Sequence, residues 1–339
     1  ALGIRDVSQS CSIPGIHHEL VQGTVDCGYP VHVIPDFMNV LGLFIDTFRP
    51  DLVWAQLEGA RQVLEYAHGK RVQGLLYVHD AEFDPQDLLA IARLGTHVVC
   101  SSGFLSRKVQ KIIGRKSHVI YPASDWYFGS QGDPDGSVTM INPHKVKGVD
   151  TFLEIAPRLP EVKFLLVESW KLGDLALADL QARLAELPNV RFLHRVSDMR
   201  EVYGMTRLVL VPSMWEEGFG MVVVEAQSGG IPVIASVRGG LPESVGDGGI
   251  LIRDFRNVDA WMEAISQVLG HRTAYENLAE KALHHAKSDD FVPQVLACRF
   301  HAVCEAPAQY TGVVRRGMYA VRSQLERVPV FGRLLRETG

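Results

Sequence analysis

The sequence has little of what most often identifies a protein's chemistry, beginning with its cysteines. Only five occur among 339 residues, and they form neither a CxxC pair nor a Cys/His spacing suited to zinc. This usage excludes a disulfide framework and indicates reduced thiols. Apolar runs of the roughly 18 residues that a membrane span needs are absent. No signal peptide is visible, although the chain opens at Ala1 without a methionine. We therefore expect a cytoplasmic protein, with at most peripheral contact with the inner face of a membrane.

Charge and short motifs exclude further classes of protein. The net charge of -5, from 34 basic and 39 acidic residues, argues against nucleic acid as a partner. The Walker A, HExxH and GxSxG motifs are all absent, so P-loop, zinc and serine-hydrolase chemistry lacks support. Basic residues concentrate at 315–336, where a solvated helix face is the first interpretation and contact with an anionic surface the alternative.

Apolar strands alternate with helical stretches along most of the chain. Candidate strands lie at 31–37, 51–56, 74–80, 96–102 and 117–122, and again at 137–142, 162–167, 190–194, 207–212, 231–236 and 249–252. Continuous apolar strands separated by helices are typical of parallel sheets covered on both faces. An early stretch, 17–28, has a helical pattern. The sequence therefore predicts an α/β protein with two Rossmann-like, doubly wound domains.

A stretch rich in Gly, Asp, Pro and Ser at 128–137 separates the two predicted domains. We accordingly predict an N-terminal domain over 1–130 and a C-terminal domain over 131–312, with an amphipathic helix at about 315–339 packed back on the first. Ligands of such sheets bind beyond the carboxyl ends of the strands. Two such domains in tandem predict a central cleft, with the informative residues at strand ends.

The stretch VPSMWEEGFGMVVVEAQSGGIP, residues 211–232, has the most informative pattern. Glu217 and Glu225 have seven residues between them, and they stand in a glycine loop and on the helix that follows it. Gly218 and Gly220 let backbone N–H groups approach a ligand, and the helix adds the positive end of its dipole. Solvated surface acids are the alternative for two isolated glutamates, but this context favours a ligand with both hydroxyls and phosphates.

Three further candidates lie at predicted strand ends or in a turn. Lys147 follows a strand, next to a glycine and a helix start, where it is well placed for a phosphate; an exposed loop lysine is the alternative. His79 ends a strand and could hydrogen-bond a hydroxyl or transfer a proton, with a structural histidine as the alternative. Pro14 and Gly15 form a weaker candidate for an acceptor or phosphate loop, because they make no GxGxxG.

These residues resemble the GT-B glycosyltransferases of the large retaining family four, the glycosyl transferases group 1. The resemblance lies in PSMWEEGFGMVVVEAQSGGIPVIAS, in RGGLPE (238–243) and DGGILI (247–252), and in INPHKVKGVDTFLEIAPRLP (141–160). It extends over nearly the whole chain and is loosest in the first domain. It implies the GT-B fold, in which two Rossmann-like domains face a central cleft. The acceptor side would then be the domain over 1–130, and the nucleotide-sugar-binding side the domain over 131–312. It also implies transfer of a hexose-type sugar from a nucleotide sugar, with retention of anomeric configuration.

The resemblance also implies roles for residues in the glutamate stretch. Glu217 would contact the donor hexose, and Glu225 would bind the two ribose hydroxyls. The backbone N–H groups of Phe219, Gly220 and Met221 would lie beside the sugar and the diphosphate, close to Gly218.

Other residues would complete the donor site by the same resemblance. Lys147 would neutralise the diphosphate, and His79 would lie near the C6 hydroxyl of the sugar. The backbone from His194 to Val196 would face the nucleobase. Asn142 stands five residues before Lys147, where the family usually carries an arginine beside the diphosphate.

The implied reaction uses no cofactor, since the nucleotide sugar (UDP, GDP, ADP or TDP linked) is a co-substrate. The acceptor is a sugar, a lipid-linked or a small-molecule hydroxyl compound. Asp133-Pro134-Asp135 lies in the linker, and no DxD-type acid pair stands at a strand end, so metal-independent transfer is expected. A non-catalytic nucleotide-sugar-binding relative, or a sugar-nucleotide epimerase of the same fold, is the alternative function.

Overall fold

The computed structural model describes residues 19–20, 32–33, 37–123 and 131–308. Its strands are β1 (Glu19–Leu20), β2 (His32–Val33), β3 (Leu52–Ala55), β4 (Gln73–Val78), β5 (His97–Cys100), β6 (His118–Val119), β7 (Ser137–Ile141), β8 (Phe164–Val167), β9 (Val190–Leu193), β10 (Thr206–Val211), β11 (Val233–Ser236) and β12 (Gly249–Ile252). Its α-helices are α1 (Phe37–Phe48), α2 (Ala60–Gly69), α3 (Pro85–Arg93), α4 (Gly103–Ile113), α5 (Val149–Ile155), α6 (Asp174–Leu184), α7 (Met199–Tyr203), α8 (Met221–Ser228), α9 (Leu241–Val245), α10 (Val258–Leu269), α11 (Arg272–Ala286) and α12 (Pro293–Glu305).

The chain divides into two compact units. One comprises residues 1–76, 84–98 and 304–339, and the other comprises 77–83 and 99–303. The predicted boundary between residues 130 and 131 stays a prediction. Within the part of the chain that the structure describes, no helix combines the length and apolarity needed to cross a membrane.

The second unit is built on a six-stranded parallel sheet with the order β12-β11-β10-β7-β8-β9. From β7 the chain winds outward through β8 to β9, and from β10 it winds the opposite way through β11 to β12. The two halves meet where Val209 of β10 pairs with Thr139 of β7. Such a reversal is a topological switch point, and open α/β sheets bind ligands beyond the carboxyl ends of the strands there. The loops after β7 and β10 are therefore expected to form a ligand site.

Hydrophobic clusters cover this sheet because successive strand side chains point to opposite faces. Leu208 and Leu210 of β10 belong to one cluster, with the fully buried Trp261 of α10. Val209 and Val211 of the same strand belong to another, with Val223 of α8. Each fully buried side chain of this size contributes roughly 1.5–3 kcal/mol. Burial on both faces explains why the strands are continuously apolar in sequence.

Another parallel sheet has the order β3-β4-β5-β6. Helix starts next to it carry capping residues of the kind that local sequence predicts. At the start of α3, Asp84 accepts a hydrogen bond from the backbone N of Gln86 at 2.7 Å. At the start of α4, Ser102 accepts one from the backbone N of Leu105 at 3.1 Å.

Most predicted strands and helices are confirmed to within a few residues, but the helix predicted over 17–28 is wrong at Glu19–Leu20. These residues form β1, which pairs antiparallel with β2. The pairing is a contact between distant segments, and the periodicity of one segment cannot reveal it. Helix α12 is a further element that the periodicity did not indicate. The predicted helix at 315–339, the Pro14-Gly15 turn and residues 128–130 of the predicted linker lie outside the described residues.

Candidate functional site

Lys147 and Glu217 follow the two strands that meet at the switch point. Lys147 ends a 3-10 helix (Lys145–Lys147) after β7, and Glu217 lies in the loop between β10 and α8. Lys147 Nζ donates to Glu217 Oε1 at 2.8 Å and to Oε2 at 2.9 Å. Ser213 Oγ also donates to Oε1, at 2.5 Å. The structure thus places two of the predicted site residues in direct contact.

This ion pair is largely removed from water. The exposed fractions are 16% for the Lys147 side chain and 9% for that of Glu217. Burial of charge is tolerated where the geometry is good and the remaining polar atoms are satisfied. The hydroxyl of Ser213 supplies that further bond. Each member therefore holds the other at the carboxyl edge of the sheet.

Backbone contacts hold the two loops together. The carbonyl oxygen of Val146 accepts hydrogen bonds from the backbone N of Met214 at 2.9 Å and of Trp215 at 3.3 Å. Gly148, with φ of 87°, comes so close to the carbonyl of Pro212 that a β-carbon there would overlap with it. Positive φ and this close approach both require glycine. The loops after β7 and β10 consequently form one surface.

The start of α8 is open to an anion. Gly220, with φ of 96°, precedes the helix and provides no side-chain cap for the N–H groups that begin at Met221. The first N–H groups of a helix have no partner within it, and they favour negative charge. The Phe219 ring packs against Tyr121, at 5.2 Å, and against Phe291, at 6.0 Å. The ring of Phe219 is thus taken up by packing, and the predicted contact of its main chain with the donor stays a prediction.

Glu225 lies on α8, and its Oε2 accepts a hydrogen bond from the Tyr203 hydroxyl at 2.7 Å. Burial raises the pKa of this carboxyl, and the hydroxyl of Tyr203 opposes the rise by stabilising the charged form. A carboxylate in this position can accept bonds from a pair of hydroxyls. The geometry therefore suits the predicted contact with a ribose.

We predict that Tyr203→Phe destabilises the protein more at pH 8 than at pH 5. A carboxyl whose pKa is raised by folding contributes stability at low pH, and this contribution is lost as the pH rises through the folded-state pKa. Loss of the Tyr203 hydroxyl removes a hydrogen bond to the charged carboxylate of Glu225, which lowers the free energy of unfolding by about 1.5–3 kcal/mol. The effect on the protonated carboxyl is smaller. Urea unfolding at both pH values measures the difference.

The matched control for this prediction is the same substitution in a Glu225→Gln background. The effect of Tyr203→Phe should then be the same at both pH values, because the titrating group is gone. An equal loss of stability at pH 5 and pH 8 with Glu225 present would contradict the assigned hydrogen bond to a charged carboxylate.

His79 lies next to the glycine loop. It follows β4 directly, and its carbonyl oxygen is so close to Gly218 that a β-carbon there would overlap with it. Its Nε2 is buried and has no hydrogen-bond partner among the described residues. The imidazole therefore retains hydrogen-bonding capacity, and the backbone of His79 adjoins the loop that carries Glu217.

His194 and Val196 follow β9, at the edge of the sheet. His194 Nδ1 lies 3.2 Å from Glu168 Oε2. The backbone N–H of Leu172, which donates to Glu168 at 3.0 Å, lowers the pKa of that carboxyl. An ionised Glu168 is an acceptor only, so its contact with His194 requires a proton on Nδ1. Val196 packs, half-buried, against Val202 and its neighbours.

Asn142 directly follows β7 and is buried. Its φ of 69° is left-handed, a conformation that asparagine tolerates better than most residues. Its backbone N donates to Val167 at 2.7 Å, and its side-chain Oδ1 accepts from the backbone N of Trp170 at 3.3 Å. Asn142 thus ties the loop after β7 to the loop after β8.

Sequence reasoning missed the aromatic surroundings of Lys147. The Lys147 Nζ lies 4.8 Å from the centre of the Trp170 ring and 4.6 Å from that of Trp215. A cation at these distances is attracted by the ring faces. The position of each tryptophan in the sequence could have indicated a role. Trp215 directly precedes Glu216 and Glu217, and Trp170 stands three residues beyond β8.

Acidic clusters suited to metal are not found in the described part of the chain, where no group of three or more His, Cys, Asp or Glu could hold an ion. Within the Asp133-Pro134-Asp135 stretch, the Asp133 carboxylate accepts a hydrogen bond from the backbone N of Asp135 at 2.9 Å. These acids thus form a tight turn.

Comparison with known proteins finds that this chain is similar to glycosyltransferases. The model of the family described as "Glycosyl transferases group 1" matches residues 136–285. The D-inositol 3-phosphate glycosyltransferase of Mycolicibacterium smegmatis is 38% identical over 149 residues, which is 42% of this chain and 33% of that relative. The corresponding protein of Nocardia farcinica is 39% identical over 115 residues, 33% of this chain and 25% of the relative. The chain therefore matches only about a third of the length of these curated relatives.

Solved structures extend the likeness to most of the chain. Anabaena Alr3699/HepE in complex with UDP has a TM-score of 0.68 at 19% identity, over 78% of this chain and 81% of that one. A glycosyltransferase from Rickettsia africae has a TM-score of 0.67 at 18% identity, over 79% of each chain. At such identity the likeness concerns the fold. The predicted α/β, GT-B fold is confirmed.

Proposed function

We infer a function from the premise that residues 136–285 of this chain belong to the glycosyl transferases group 1 family. We propose that the protein transfers a hexose-type sugar from a nucleotide sugar to an acceptor hydroxyl, with retention of anomeric configuration. One observation carries the proposal. Lys147 and Glu217, from the two strands at the switch point, are in contact beside the uncapped start of α8. A cation, an acid and a helix N-terminus together suit a ligand with both phosphates and hydroxyls.

Donor binding exchanges the partners of the ion pair. The diphosphate takes N–H bonds of Lys147, and the carboxylate of Glu217, released from the ammonium, accepts bonds from hexose hydroxyls. Each charged group then has a new polar partner, which limits the cost of separating the pair. The backbone N–H groups of Phe219, Gly220 and Met221 face the sugar and the diphosphate.

The rest of the donor extends along the same edge of the sheet. Glu225 accepts bonds from the two ribose hydroxyls, and the segment from His194 to Val196 faces the nucleobase. His79, whose Nε2 lacks a partner among the described residues, hydrogen-bonds the C6 hydroxyl of the hexose.

In the transfer step, the bond between the anomeric carbon and the diphosphate oxygen breaks, and its electron pair leaves with the nucleoside diphosphate. The acceptor hydroxyl oxygen forms the new bond to the anomeric carbon on the same face, and its proton passes to the departing phosphate oxygen. Lys147 and the start of α8 stabilise the charge that grows on that phosphate. Because these groups supply the positive charge, we propose transfer without a metal ion.

The names of the similar proteins suggest the first substrates to test. Anabaena Alr3699/HepE is described with UDP and with UDP-glucose, so a uridine nucleotide is the first donor candidate, before GDP, ADP and TDP sugars. The curated relatives are D-inositol 3-phosphate glycosyltransferases, so a phosphorylated polyol is the first small-molecule acceptor, beside sugars and lipid-linked hydroxyl compounds.

A donor screen tests the proposal. We expect one of the UDP, GDP, ADP and TDP sugars to raise the melting temperature, with and without a chelator; a ligand at 100 times its Kd stabilises by about 2.7 kcal/mol. Addition of an acceptor should then release free nucleoside diphosphate. Stabilisation that vanished with the chelator would contradict metal-free transfer, and stabilisation without release would instead support a nucleotide-sugar-binding relative.

A further inference from the structure

Two buried nitrogen atoms near Lys147 lack a hydrogen-bond partner within the described part of the chain. They are Nε2 of His144 and Nε1 of Trp215. Native proteins satisfy most buried polar groups, because an unpaired one carries a desolvation cost. Two such atoms on the adjoining loops after β7 and β10 therefore point to a ligand that supplies their partners.

Both residues belong to one cluster around Trp170, which we call the Trp170 cluster: His144, Lys147, Trp170 and Trp215. The Trp170 ring meets that of His144 at 5.5 Å and that of Trp215 at 6.1 Å, each edge-on. The ammonium of Lys147 lies 4.8 Å from the Trp170 ring and 4.6 Å from the Trp215 ring. One cation and two unpaired nitrogens thus share a single indole as their neighbour.

The backbone fixes these side chains on one edge of the sheet. The backbone N of His144 donates to Asn142 at 2.8 Å, and its carbonyl accepts from the N of Lys147 at 2.9 Å. The backbone N of Trp170 donates to the Asn142 side chain at 3.3 Å. With Trp215 N donating to Val146, the cluster joins the loops after β7, β8 and β10.

The chemistry of the unpaired atoms defines the ligand. An indole N–H is a donor only, so the partner of Trp215 must be an acceptor. His144 donates likewise when Nε2 carries its proton. Neither nitrogen has to give up an acceptor among the described residues before it can bind a ligand, whereas Lys147 must first leave Glu217. Two neutral donors beside a cation suit an anion with many oxygen acceptors, and a diphosphate is such a group.

We propose that His144 and Trp215 donate two hydrogen bonds to the diphosphate of the donor, and that Trp170 is a positioning residue that holds both of them and Lys147. This rests on the proposed function and extends it. The sequence pattern alone indicates no role for His144, Trp170 or Trp215. The two neutral donors supplement a single lysine at the position where Asn142 replaces the family's usual arginine.

The test compares Trp215→Phe and His144→Phe with wild type, and uses Lys145→Ala as control because Lys145 is exposed on the same 3-10 helix. Each Phe variant keeps an aromatic ring and removes the nitrogen. Calorimetry measures Kd for inorganic pyrophosphate, UDP and uridine. We expect pyrophosphate and UDP to bind about 5–10-fold more weakly to each Phe variant, the loss of one hydrogen bond. Uridine binding and the Lys145→Ala variant should be unchanged.

The Trp170→Phe variant tests whether Trp170 positions the phosphate-binding residues or only stabilises the fold. It should weaken pyrophosphate binding while leaving uridine binding unchanged, whereas a purely structural role would lower the melting temperature and affect both ligands alike. The two direct donors have a further readout, since removal of an unpaired buried N–H should keep or raise the melting temperature of the free protein.

Three results would overturn the inference. The first is equal pyrophosphate affinity in wild type, Trp215→Phe and His144→Phe. The second is a wild-type protein that binds uridine but neither pyrophosphate nor UDP. The third is weakening of uridine binding to the same degree as pyrophosphate. If sugar transfer proceeds while the first result holds, the proposed function stands without this inference. If no nucleotide sugar binds or reacts, the proposed function fails as well.

Discussion

Replacement of Lys147 by methionine should lower kcat for sugar transfer about 10²–10³-fold. The ammonium lies 2.8 Å from Glu217, and in the proposed reaction it faces the charge that grows on the departing diphosphate. Removal of one preorganised group that stabilises developing charge typically costs about 3–4 kcal/mol of the barrier. Methionine keeps the length of the side chain and its contact with the two indoles. Steady-state release of nucleoside diphosphate measures the effect.

The free energy of unfolding of Lys147→Met must be measured beside its turnover. Loss of Lys147 leaves the carboxylate of Glu217 buried with only Ser213 as its described side-chain partner. Breaking a buried pair by removal of one member costs about 3–5 kcal/mol, a large part of the stability of an ordinary domain. Lys147→Arg retains the charge and should keep the fold, with an intermediate rate because the guanidinium is broader. Turnover of a folded Lys147→Met variant equal to that of Lys145→Ala would refute the assignment.

The α/β layers were predictable because burial dictates the pattern of a central strand. Strand β10 is apolar at consecutive positions since both of its faces contact clusters, one with Trp261 and one with Val223. That pattern is local and can be read from a single segment. The pairing of Glu19–Leu20 with His32–Val33 is not local. Its sequence also fits a helix, so only the partner strand decides its conformation.

The candidate site was predictable residue by residue, whereas its contacts depend on strand order. Lys147 and Glu217 were each predicted to lie just beyond a strand end. That they touch follows from β7 and β10 being neighbours in the sheet although 64 residues separate the end of one from the start of the other. Periodicity indicates strands and does not order them. The Trp170 cluster was missed for the same reason, because it joins three loops.

Burial of Glu217 against Lys147 is a contact that the sequence pattern does not reveal. The Glu217 side chain is 9% exposed and pairs with the same lysine that the diphosphate requires. Carboxylate and phosphate therefore compete for one ammonium. Any change that weakens the bond of the Glu217 carboxylate to Lys147 should strengthen binding of the nucleotide alone, even while it slows sugar transfer.

Glu217→Gln should accordingly separate binding from transfer. The amide keeps the size of the side chain and an oxygen for Ser213, and it removes the negative charge that holds Lys147. Lys147 is then free to bind phosphate, so Kd for the nucleoside diphosphate should fall several-fold. Hexose hydroxyls lose a charged acceptor worth about 1.5–3 kcal/mol, so kcat/KM for transfer should fall between about 10-fold and 150-fold.

The adjacent Glu216→Gln variant is the matched control. Glu216 pairs with Lys108 at 2.9 Å, and its side chain is 41% exposed, so the loss of its charge should change neither Kd nor kcat/KM by more than about two-fold. Calorimetry with the nucleoside diphosphate and initial rates with the full donor give the two quantities. Tighter nucleotide binding together with slower transfer is the result expected of a carboxylate that competes with the phosphate for Lys147 and accepts hydrogen bonds from the sugar. Weaker nucleotide binding in Glu217→Gln would mean that the ion pair organises the phosphate site rather than competing with it, and the proposed exchange of partners would then be wrong.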